Sequence, residues 1–325
     1  MSIKKKVFHM LPYVIVNNYE NKKRNKLSSI EPLVYNEDGK KMSVMYLQDD
    51  LCYYYPYSMA PGRLPKYILW DRYNNGLKRH VYTHKNVMKT CGKPLKKYAL
   101  FLESNAIMPQ DYKIFENNRL LAKDFDMIFT HSQKLLNELD NARWIPGGHV
   151  WYGGIDFGGE VSKELYLKKT KNISMVSSGK QFCDLHKLRI ETVKKLQKLN
   201  LLDGYGTYPG TLNGDTLISE TLQEYRYSIV FENNIEDYYF TEKILNCFES
   251  MTIPIYLGAR KISDFFNRDG IIELQIEDID RIEEIVKKLN AEYYNKHVEA
   301  ILDNFKRVQE YICLEDYIYN HYFKE

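Results

Sequence analysis

The stretch EYRYSIVFENNIEDYYFTEKILNCFESMTIPIYLGA, residues 224–259, decides the fold prediction. It contains an apolar run over residues 226–231, a polar loop, a helical pattern over residues 241–251 and a second apolar run over residues 253–257. Short β-rich runs that alternate with helical patterns are typical of an α/β layer with a parallel sheet. The stretch therefore predicts a strand, a loop, a helix and a second strand that is parallel to the first.

The same alternation predicts further elements on both sides of this stretch. Further strands are predicted over residues 7–16, 67–70, 98–102, 126–130 and 173–177. Helices are predicted over residues 130–139, with Thr130 or Ser132 as the N-cap, and over residues 184–199, 278–289 and 291–311. The sequence therefore predicts an α/β protein with Rossmann-like domains.

Glycines mark the predicted boundary between two domains. The 325 residues exceed a typical domain of roughly 150 residues about twofold. Six of the 17 glycines lie within residues 147–159, and such a cluster favours a hinge. We therefore predict one domain over residues 1–158 and another over residues 159–325. The Tyr-rich C-terminal tail, which is apolar on one face, is predicted to pack back on the first domain.

The net charge of +3 conceals a gradient along the chain. Residues 1–100 carry 19 basic and 7 acidic residues, whereas residues 201–325 carry 12 basic and 24 acidic residues. Clustered Lys and Arg attract anions, so the first part favours an acidic or membrane-borne partner, although a solvated lysine-rich face explains the same charge. With 44% hydrophobic and 27% charged residues, wholesale disorder and a multi-span membrane protein are both excluded.

Cysteine usage indicates a reducing compartment. The five cysteines are odd in number, widely spaced and never arranged as C-x-x-C: Cys52, Cys91, Cys183, Cys247 and Cys313. The basic and apolar start of the chain resembles a signal peptide, but His9 and Pro12 interrupt the apolar run and no small-residue cleavage site follows. We therefore expect a cytoplasmic protein.

Polar residues follow the first strand of the opening stretch, at the end of a parallel strand where α/β sheets bind ligands. Glu232 and Asn233 come directly after the strand, and Thr241, Glu242 and Lys243 open the helix. A lysine in the first helical turn opposes the helix dipole, and a bound anion would relieve that conflict. Lys243 therefore either binds an anion or points to solvent.

These residues resemble the donor-binding signature of the α-1,3-fucosyltransferases, glycosyltransferase family 10. The resemblance rests on FENN (231–234), YYFTEK (238–243) and TIPIYLGA (252–259). The family usually has Trp-Gly after IPIY, whereas this chain has Leu257-Gly258, a departure expected to change the packing of the donor pocket. The resemblance implies a fold of the GT-B type, in which two Rossmann-like domains face each other across a cleft.

The resemblance also implies roles for individual residues. Arg189, which follows a strand that ends in serines, and Lys243 would bind the nucleotide diphosphate, while Asn233 and Glu242 would hold sugar or ribose hydroxyls. Tyr239 would contact the donor. Two fixed cations can neutralise a departing diphosphate where a metal would otherwise be needed, so no metal cofactor is expected. For Arg189, a place on the helix surface is the alternative.

Glu103 follows an apolar strand in the sequence YALFLES (98–104), which places its carboxylate at the carboxyl end of a sheet. The family carries a Glu in a comparable Glu-Ser context, where it acts as the general base on the acceptor hydroxyl. A carboxylate within reach of that hydroxyl can accept its proton. A role of Glu103 in capping the strand or in an ion pair is the alternative.

Other motifs point to structure rather than chemistry. His80 and His84 form an H-x-x-x-H sequence with Cys91 nearby, but no second cluster of ligands accompanies them. The D-x-D sequences 124–126 and 278–280 match metal-dependent glycosyltransferases, yet the first precedes a strand and the second opens an acidic helix. No P-loop, G-x-G-x-x-G or nucleic-acid motif occurs, so ATPase, dinucleotide-dependent and nucleic-acid-binding functions are not supported.

Together with the resemblance, the sequence predicts an inverting transferase that moves L-fucose from GDP-fucose to a glycan hydroxyl. The expected acceptor is O3 of GlcNAc or glucose in an oligosaccharide or a lipid-linked glycan such as lipopolysaccharide, which implies peripheral contact with the inner face of a membrane. Residues 1–95 carry no motif of the family, and we expect acceptor specificity to lie there. Two alternatives stay open: another GDP-sugar donor, such as a deoxyhexose or heptose, and a non-catalytic binder of polyanions.

Overall fold

A computed structural model of the chain describes residue 15 and residues 27–49, 62–206 and 217–324. The described residues divide into two compact units. The first contains residues 27–49, 64–147 and 314–324, and the second contains residues 62–63 and 148–313 apart from 207–216. The strand predicted over residues 7–16 and Cys52 lie, apart from residue 15, outside the described residues.

The chain passes from the first unit to the second between Gly147 and Gly148, earlier than the predicted boundary after residue 158. The residues that follow Gly148 are tied to the second unit by hydrogen bonds. The N–H groups of Trp151 and Tyr152 both donate to Asn246 Oδ1, over 2.8 and 2.9 Å. Most of the glycine cluster is therefore part of the second unit.

The first unit is built on a mainly parallel sheet. Its strands, in chain order, are β1 (Leu27–Ser28), β2 (Val34–Tyr35), β3 (Lys41–Gln48), β4 (Ile68–Asp71), β5 (Arg79–Thr83), β6 (Lys93–Pro94), β7 (Lys96–Leu100), β8 (Met127–Thr130) and β9 (Ala142–Trp144). The parallel strands lie side by side in the order β4-β3-β5-β7-β8-β9, β2 runs antiparallel to β3, and β1 pairs with β6. This is a doubly wound arrangement, because the strand order reverses once, between β3 and β5.

The second unit has a fully parallel sheet. Its strands are β10 (Lys171–Val176), β11 (Asp203–Tyr205), β12 (Tyr225–Phe231), β13 (Ile253–Leu257) and β14 (Ile272–Glu273), in the spatial order β11-β10-β12-β13-β14. The opening stretch of the sequence supplies β12 and β13, which pair in parallel as predicted. Both are buried along almost their whole length, which explains their apolar sequences. The predicted class, α/β with Rossmann-like units, is confirmed.

Helices flank the strands in both units. They are α1 (Pro109–Asn117), α2 (Arg119–Ala122), α3 (Gln133–Glu138), α4 (Asp184–Lys198), α5 (Ile218–Leu222), α6 (Glu242–Glu249), α7 (Ile282–Lys287), α8 (Ala291–Lys296), α9 (Val298–Val308) and α10 (Leu314–Ile318). The helix predicted over 278–289 begins with a 3₁₀ turn before α7, and the one predicted over 291–311 is divided at His297. Within the described part of the chain, no helix has the length and hydrophobicity of a membrane span.

The C-terminal residues complete the first unit. Trp70 Nε1 donates to Glu315 Oε1 of α10 over 2.8 Å, and Glu315 is fully buried. The ring of Tyr319 stacks on Tyr67 with centroids 4.6 Å apart. Residues 314–324 therefore pack with β-strands that lie more than 200 positions earlier in the chain.

Lys169 is a buried lysine that joins three elements of the second unit. The residue is 5% exposed, and its Nζ donates to the carbonyls of Leu222 and Ser250 over 2.9 and 2.6 Å and to Thr252 Oγ1 over 3.0 Å. These acceptors lie at the ends of α5 and α6 and just before β13. Because all three are neutral, burial dominates and lowers the pKa of Lys169 to about 7.

We expect Lys169 to make the stability of the protein depend on pH above neutrality. The lysine titrates near 10.5 in the unfolded chain, so between pH 7 and about 10 the unfolded state binds more protons than the folded state. The free energy of unfolding should therefore rise with pH in this window, by roughly 1 kcal/mol per pH unit. Urea unfolding of the wild type and of Lys169→Met across the window tests this, and equal slopes in the two proteins would contradict it.

Candidate functional site

Two adjacent strands of the second unit end in polar residues at the point where the strand order reverses. Ser177 and Ser178 follow β10, and Glu232 and Asn233 follow β12. Open α/β sheets bind ligands at such a switch point, outside the carboxyl ends of the strands. The helices that follow these strands, α4 and α6, carry the two cations that the sequence analysis selected.

Lys243 lies in the first turn of α6 between two carboxylates. Its Nζ is 3.2 Å from Glu232 Oε2 and 3.1 Å from Glu242 Oε1, and it donates to Thr241 Oγ1 over 2.9 Å. Thr241 is the N-cap of α6, and its N–H and hydroxyl donate to Glu232 over 2.9 and 2.8 Å. The chain's own carboxylates therefore offset the conflict between Lys243 and the helix dipole.

The same carboxylates keep Lys243 protonated. Burial alone would lower the pKa of Lys243, but Glu232 and Glu242 raise it above its usual value. Burial raises the pKa of Glu232. At Glu242 burial also acts to raise the pKa, but the charge of Lys243 and several hydrogen bonds together lower it. Lys243 is therefore a permanent cation at the N-terminus of α6.

Arg189, on α4, supplies a second cation that is almost completely buried. The residue is 7% exposed, which excludes a place on the helix surface, and its Nη2 donates to Ser178 Oγ over 3.2 Å. Burial lowers the pKa of Arg189, while the charges of Glu232 and Glu242 oppose that effect. Because the charge of Arg189 also lowers the pKa of Lys243, the two cations lie within electrostatic range of each other. The structure therefore places Arg189 and Lys243 on the helices that follow two adjacent strands of the sheet.

Three buried polar atoms beside these groups have no hydrogen-bond partner among the described residues. They are Arg189 Nε, Ser177 Oγ and Asn233 Oδ1. Buried polar groups are nearly always satisfied, so each of these atoms calls for a partner from outside the described residues, and a bound ligand could supply it. A guanidinium N–H, a hydroxyl and an amide oxygen are suited to phosphate oxygens and sugar hydroxyls.

His186, in the first turn of α4, lies near several positively charged side chains. It is 5% exposed, and its Nδ1 accepts from the N–H of Phe182 over 3.3 Å. Burial lowers the pKa of His186 to about 4, and the charges of Arg189, Lys243 and Lys180 lower it as well. The surroundings of His186 are thus positive, although the C-terminal 125 residues carry a net negative charge.

Two glycines allow the backbone to approach the carboxylates closely. A Cβ on Gly148 would lie 2.8 Å from the backbone nitrogen of Glu242, and one on Gly258 would lie 2.7 Å from Glu232 Cγ. Both distances are shorter than real Cβ atoms show, so neither position has room for a side chain. Leu257, where the family usually has Trp, is 1% exposed and lies in the interior of the unit.

The remaining residues selected from the sequence differ in how accessible they are. Asn233 is 8% exposed and the Glu242 side chain is 19% exposed, and both lie at the switch point. Tyr239 precedes α6 and is 1% exposed, so the predicted contact with a donor has little accessible surface to use. Sequence reasoning did not select Glu232 as a site residue, although its place directly after a buried strand and in the FENN motif was the available signal.

Glu103 lies in the first unit, three residues after the end of β7. The residue is half-buried, and its backbone N–H and carbonyl form hydrogen bonds to side chains of the same unit. Its carboxylate forms no hydrogen bond or ion pair with the described residues, so the alternative role as an ion-pair partner is not supported there. The carboxylate is thus available for a ligand.

The motifs interpreted as structural have structural partners. His80 Nδ1 lies 2.8 Å from the hydroxyl of Tyr82, and in the described part of the chain no three His, Cys, Asp or Glu side chains lie close enough together to hold a metal ion. Three of the four aspartates of the D-x-D sequences form ion pairs within the protein: Asp124 with Lys97, Asp126 with Lys96 and Asp278 with Arg281.

Comparisons with known proteins relate the second unit to one enzyme family. Residues 166–324 match the model of glycosyltransferase family 10 (fucosyltransferase), C-terminal region. A fucosyltransferase-like protein of Arabidopsis thaliana is 28% identical over 133 residues, which are 38% of this chain and 26% of that protein. The α-(1,3)-fucosyltransferase FucT of Helicobacter pylori is 32% identical over 85 residues, which are 26% of this chain and 17% of that protein.

Among solved structures, an α1,3-fucosyltransferase crystallised with GDP-fucose aligns with a TM-score of 0.48 at 17% identity, over 87% of this chain and 94% of that chain. The chain spans less than a third of the length of each of the two curated relatives above. The family model covers β10 to α10, including the switch point and its two cations. The predicted family resemblance is therefore confirmed for residues 166–324, which match the C-terminal region of glycosyltransferase family 10.

Proposed function

We propose that the protein transfers L-fucose from GDP-β-L-fucose to a glycan hydroxyl, with inversion at the anomeric carbon. The observation that carries the proposal is the switch point of the second unit. There two cations stand beside three buried polar atoms that lack partners among the described residues. The match of residues 166–324 to this family and the names of the similar proteins, which are fucosyltransferases, support fucose as the transferred sugar.

In this proposal the second unit binds the donor. Arg189 Nε and Lys243 Nζ bind the diphosphate, and Asn233 Oδ1 and Glu242 accept hydrogen bonds from ribose or fucose hydroxyls. When the bond from the anomeric carbon to the β-phosphate oxygen breaks, GDP leaves with the electron pair. The two cations stabilise the charge that develops on that oxygen, and fixed cations cost no reorganisation at the moment of reaction.

Glu103 acts as the general base in the same step. Its carboxylate takes the proton of the acceptor hydroxyl while the acceptor oxygen forms its bond to the anomeric carbon, so a single displacement converts the β-linked donor into an α-linked product. The expected acceptor is O3 of GlcNAc or glucose in a surface glycan. The basic character of residues 1–100 supports an acidic or membrane-borne acceptor and a place at the inner face of a membrane.

We further propose that the reaction needs no metal ion, because Arg189 and Lys243 supply the two positive charges that a dianionic leaving group requires. Transfer measured with excess EDTA should equal transfer in its absence. A loss of activity with EDTA that Mg²⁺ or Mn²⁺ restores would contradict this part of the proposal.

A panel of ligands tests the function as a whole. Thermal unfolding is measured with GDP, UDP, CMP, GDP-fucose, GDP-mannose and a GDP-heptose, and transfer from the GDP-sugars is assayed with N-acetyllactosamine as the probe acceptor. We expect stabilisation by GDP and GDP-fucose and transfer of fucose. Faster transfer from another GDP-sugar would show that the donor is not GDP-fucose. Stabilisation by heparin alone would identify a polyanion binder and overturn the proposal.

A further inference from the structure

The backbone on both sides of Glu103 is held by three side chains of the first unit. The N–H groups of Leu102 and Glu103 both donate to His84 Nε2, over 3.4 and 3.3 Å. The carbonyl of Leu102 accepts from His131 Nε2 over 3.2 Å, and the carbonyl of Glu103 accepts from the hydroxyl of Tyr112 over 2.5 Å. Side chains therefore satisfy all four backbone polar groups of this dipeptide.

These hydrogen bonds assign opposite tautomers to the two histidines. His84 Nε2 accepts, so its proton is on Nδ1, which lies 3.3 Å from Asp111 Oδ2. His131 Nε2 faces a carbonyl, so it carries the proton, and burial lowers the pKa of His131 to about 4 and keeps it neutral. The hydroxyl of Tyr112 donates its hydrogen bond to the backbone carbonyl of Glu103. The oxygen of that hydroxyl therefore accepts from His131 Nε2 over 3.1 Å. The hydrogen bonds to residues 102 and 103 are thus mutually consistent, whereas His84 Nδ1 lies within ion-pair distance of Asp111 without forming a hydrogen bond to the described residues.

His84 adopts a backbone conformation that is uncommon for residues other than glycine. Its φ is +48°, in the left-handed region, and the residue is only 4% exposed. Such strain persists where the surrounding structure determines the conformation, and it concentrates at functional sites. His84 is the second histidine of the H-x-x-x-H sequence at residues 80–84, which does not form a metal site among the described residues. Its other member, His80, is also buried and contacts Tyr82 instead of the turn at Glu103.

We propose that His84, oriented by Asp111, together with His131 and Tyr112, positions the general base Glu103. The carboxylate of Glu103 has no partner of its own among the described residues, so the two peptide groups that flank its Cα set the direction in which it points. The four side chains are positioning residues, because they act through Glu103. This inference rests on the proposed role of Glu103 in transfer.

Two substitutions of His84 separate positioning from backbone strain. In His84→Gln the amide oxygen reaches the place of Nε2 and can accept both N–H groups, whereas in His84→Asn it reaches only the place of Nδ1. Asn tolerates a positive φ better than Gln does, so relief of strain alone would favour His84→Asn. Positioning predicts the reverse order: kcat within about tenfold of wild type for His84→Gln and a loss of about 100-fold for His84→Asn. KM for GDP-fucose should change less than about threefold in both.

The kinetic readouts are fucose transfer to N-acetyllactosamine and hydrolysis of GDP-fucose, the second of which needs no acceptor. Hydrogen exchange of a peptide that contains residues 102–104 provides a direct readout, and its amides should be protected in wild type and His84→Gln and exchange faster in His84→Asn. His80→Gln, which alters the other histidine of the H-x-x-x-H sequence, should lower Tm without changing kcat. In a Glu103→Gln background, His84→Asn should cause no further loss.

The failures of the two proposals are distinguishable. If Glu103→Gln transfers fucose normally, Glu103 is not the base, and the positioning role falls with it. If Glu103→Gln is inactive but His84→Asn is as active as His84→Gln, the base assignment stands and the positioning proposal is overturned. Unchanged hydrogen exchange at residues 102–104 in His84→Asn would overturn it as well, and Tyr112→Phe, which keeps the ring, repeats the test if His84→Asn fails to fold.

Discussion

Glu103→Gln is expected to lower kcat for fucose transfer by about 10²–10⁴-fold and to leave the affinity for GDP unchanged. The amide has the size of the carboxylate but cannot take the acceptor proton, and general base catalysis contributes a factor of this order. The residues that we propose to bind GDP lie in the second unit, whereas Glu103 lies in the first. Steady-state kinetics give kcat, and calorimetry gives the Kd for GDP.

Glu116→Gln is the matched control for this prediction. Glu116 lies on α1 of the same unit and pairs with Lys134 over 2.7 Å, with a side chain that is 18% exposed. It undergoes the same chemical change, and kcat should stay within about twofold, since surface ion pairs contribute little. Normal transfer by Glu103→Gln would show that another group takes the proton.

Lys243→Met is expected to weaken GDP binding by about 10- to 100-fold and to destabilise the protein. A hydrogen bond to a charged group contributes about 1.5–3 kcal/mol, which sets the loss of affinity. The substitution also leaves Glu232, which is fully buried, without its cation. Removing one partner of a buried ion pair costs about 3–5 kcal/mol. Calorimetry with GDP and urea unfolding measure the two effects.

A double variant separates these effects. Glu232→Gln combined with Lys243→Met removes both charges, so it should recover much of the lost stability while GDP binding stays weak. Lys287→Ala, which removes a lysine that is paired with Glu283 on the surface of α7, should change neither quantity measurably. Affinity for GDP that is unchanged in Lys243→Met would remove Lys243 from the donor site.

The sequence predicted the second sheet better than the first because the two sheets differ in how their strands are patterned. β12 and β13 are buried on both faces, and their apolar runs stand out between polar loops. β3, KMSVMYLQ, has neither a clean alternation nor a continuous apolar run, and β5 buries His80 in its core. Neither of these strands was predicted, because their burial depends on neighbours that are distant in sequence.

The location of the candidate site residues was predictable where one contiguous motif carries them. Asn233, Glu242 and Lys243 lie within eleven positions of each other, on a strand, loop and helix that the motif itself defines. The surroundings of Glu103 come instead from separate elements, with His84 after β5 and His131 after β8. Sequence spacing does not reveal such a network, because only the folded sheet brings the ends of these strands together.

The return of residues 314–324 to the first unit also fixes the order in which the protein can fold on the ribosome. The first unit begins with residues that are synthesised early. The contacts of Trp70 with Glu315 and of Tyr67 with Tyr319 can form only after the C-terminal residues have been synthesised. All of residues 148–313 are synthesised in between, which takes on the order of 10 s at 5–20 residues per second. The unit that is started first is therefore finished last, and the second unit can complete its sheet while an aromatic face of the first is still uncovered.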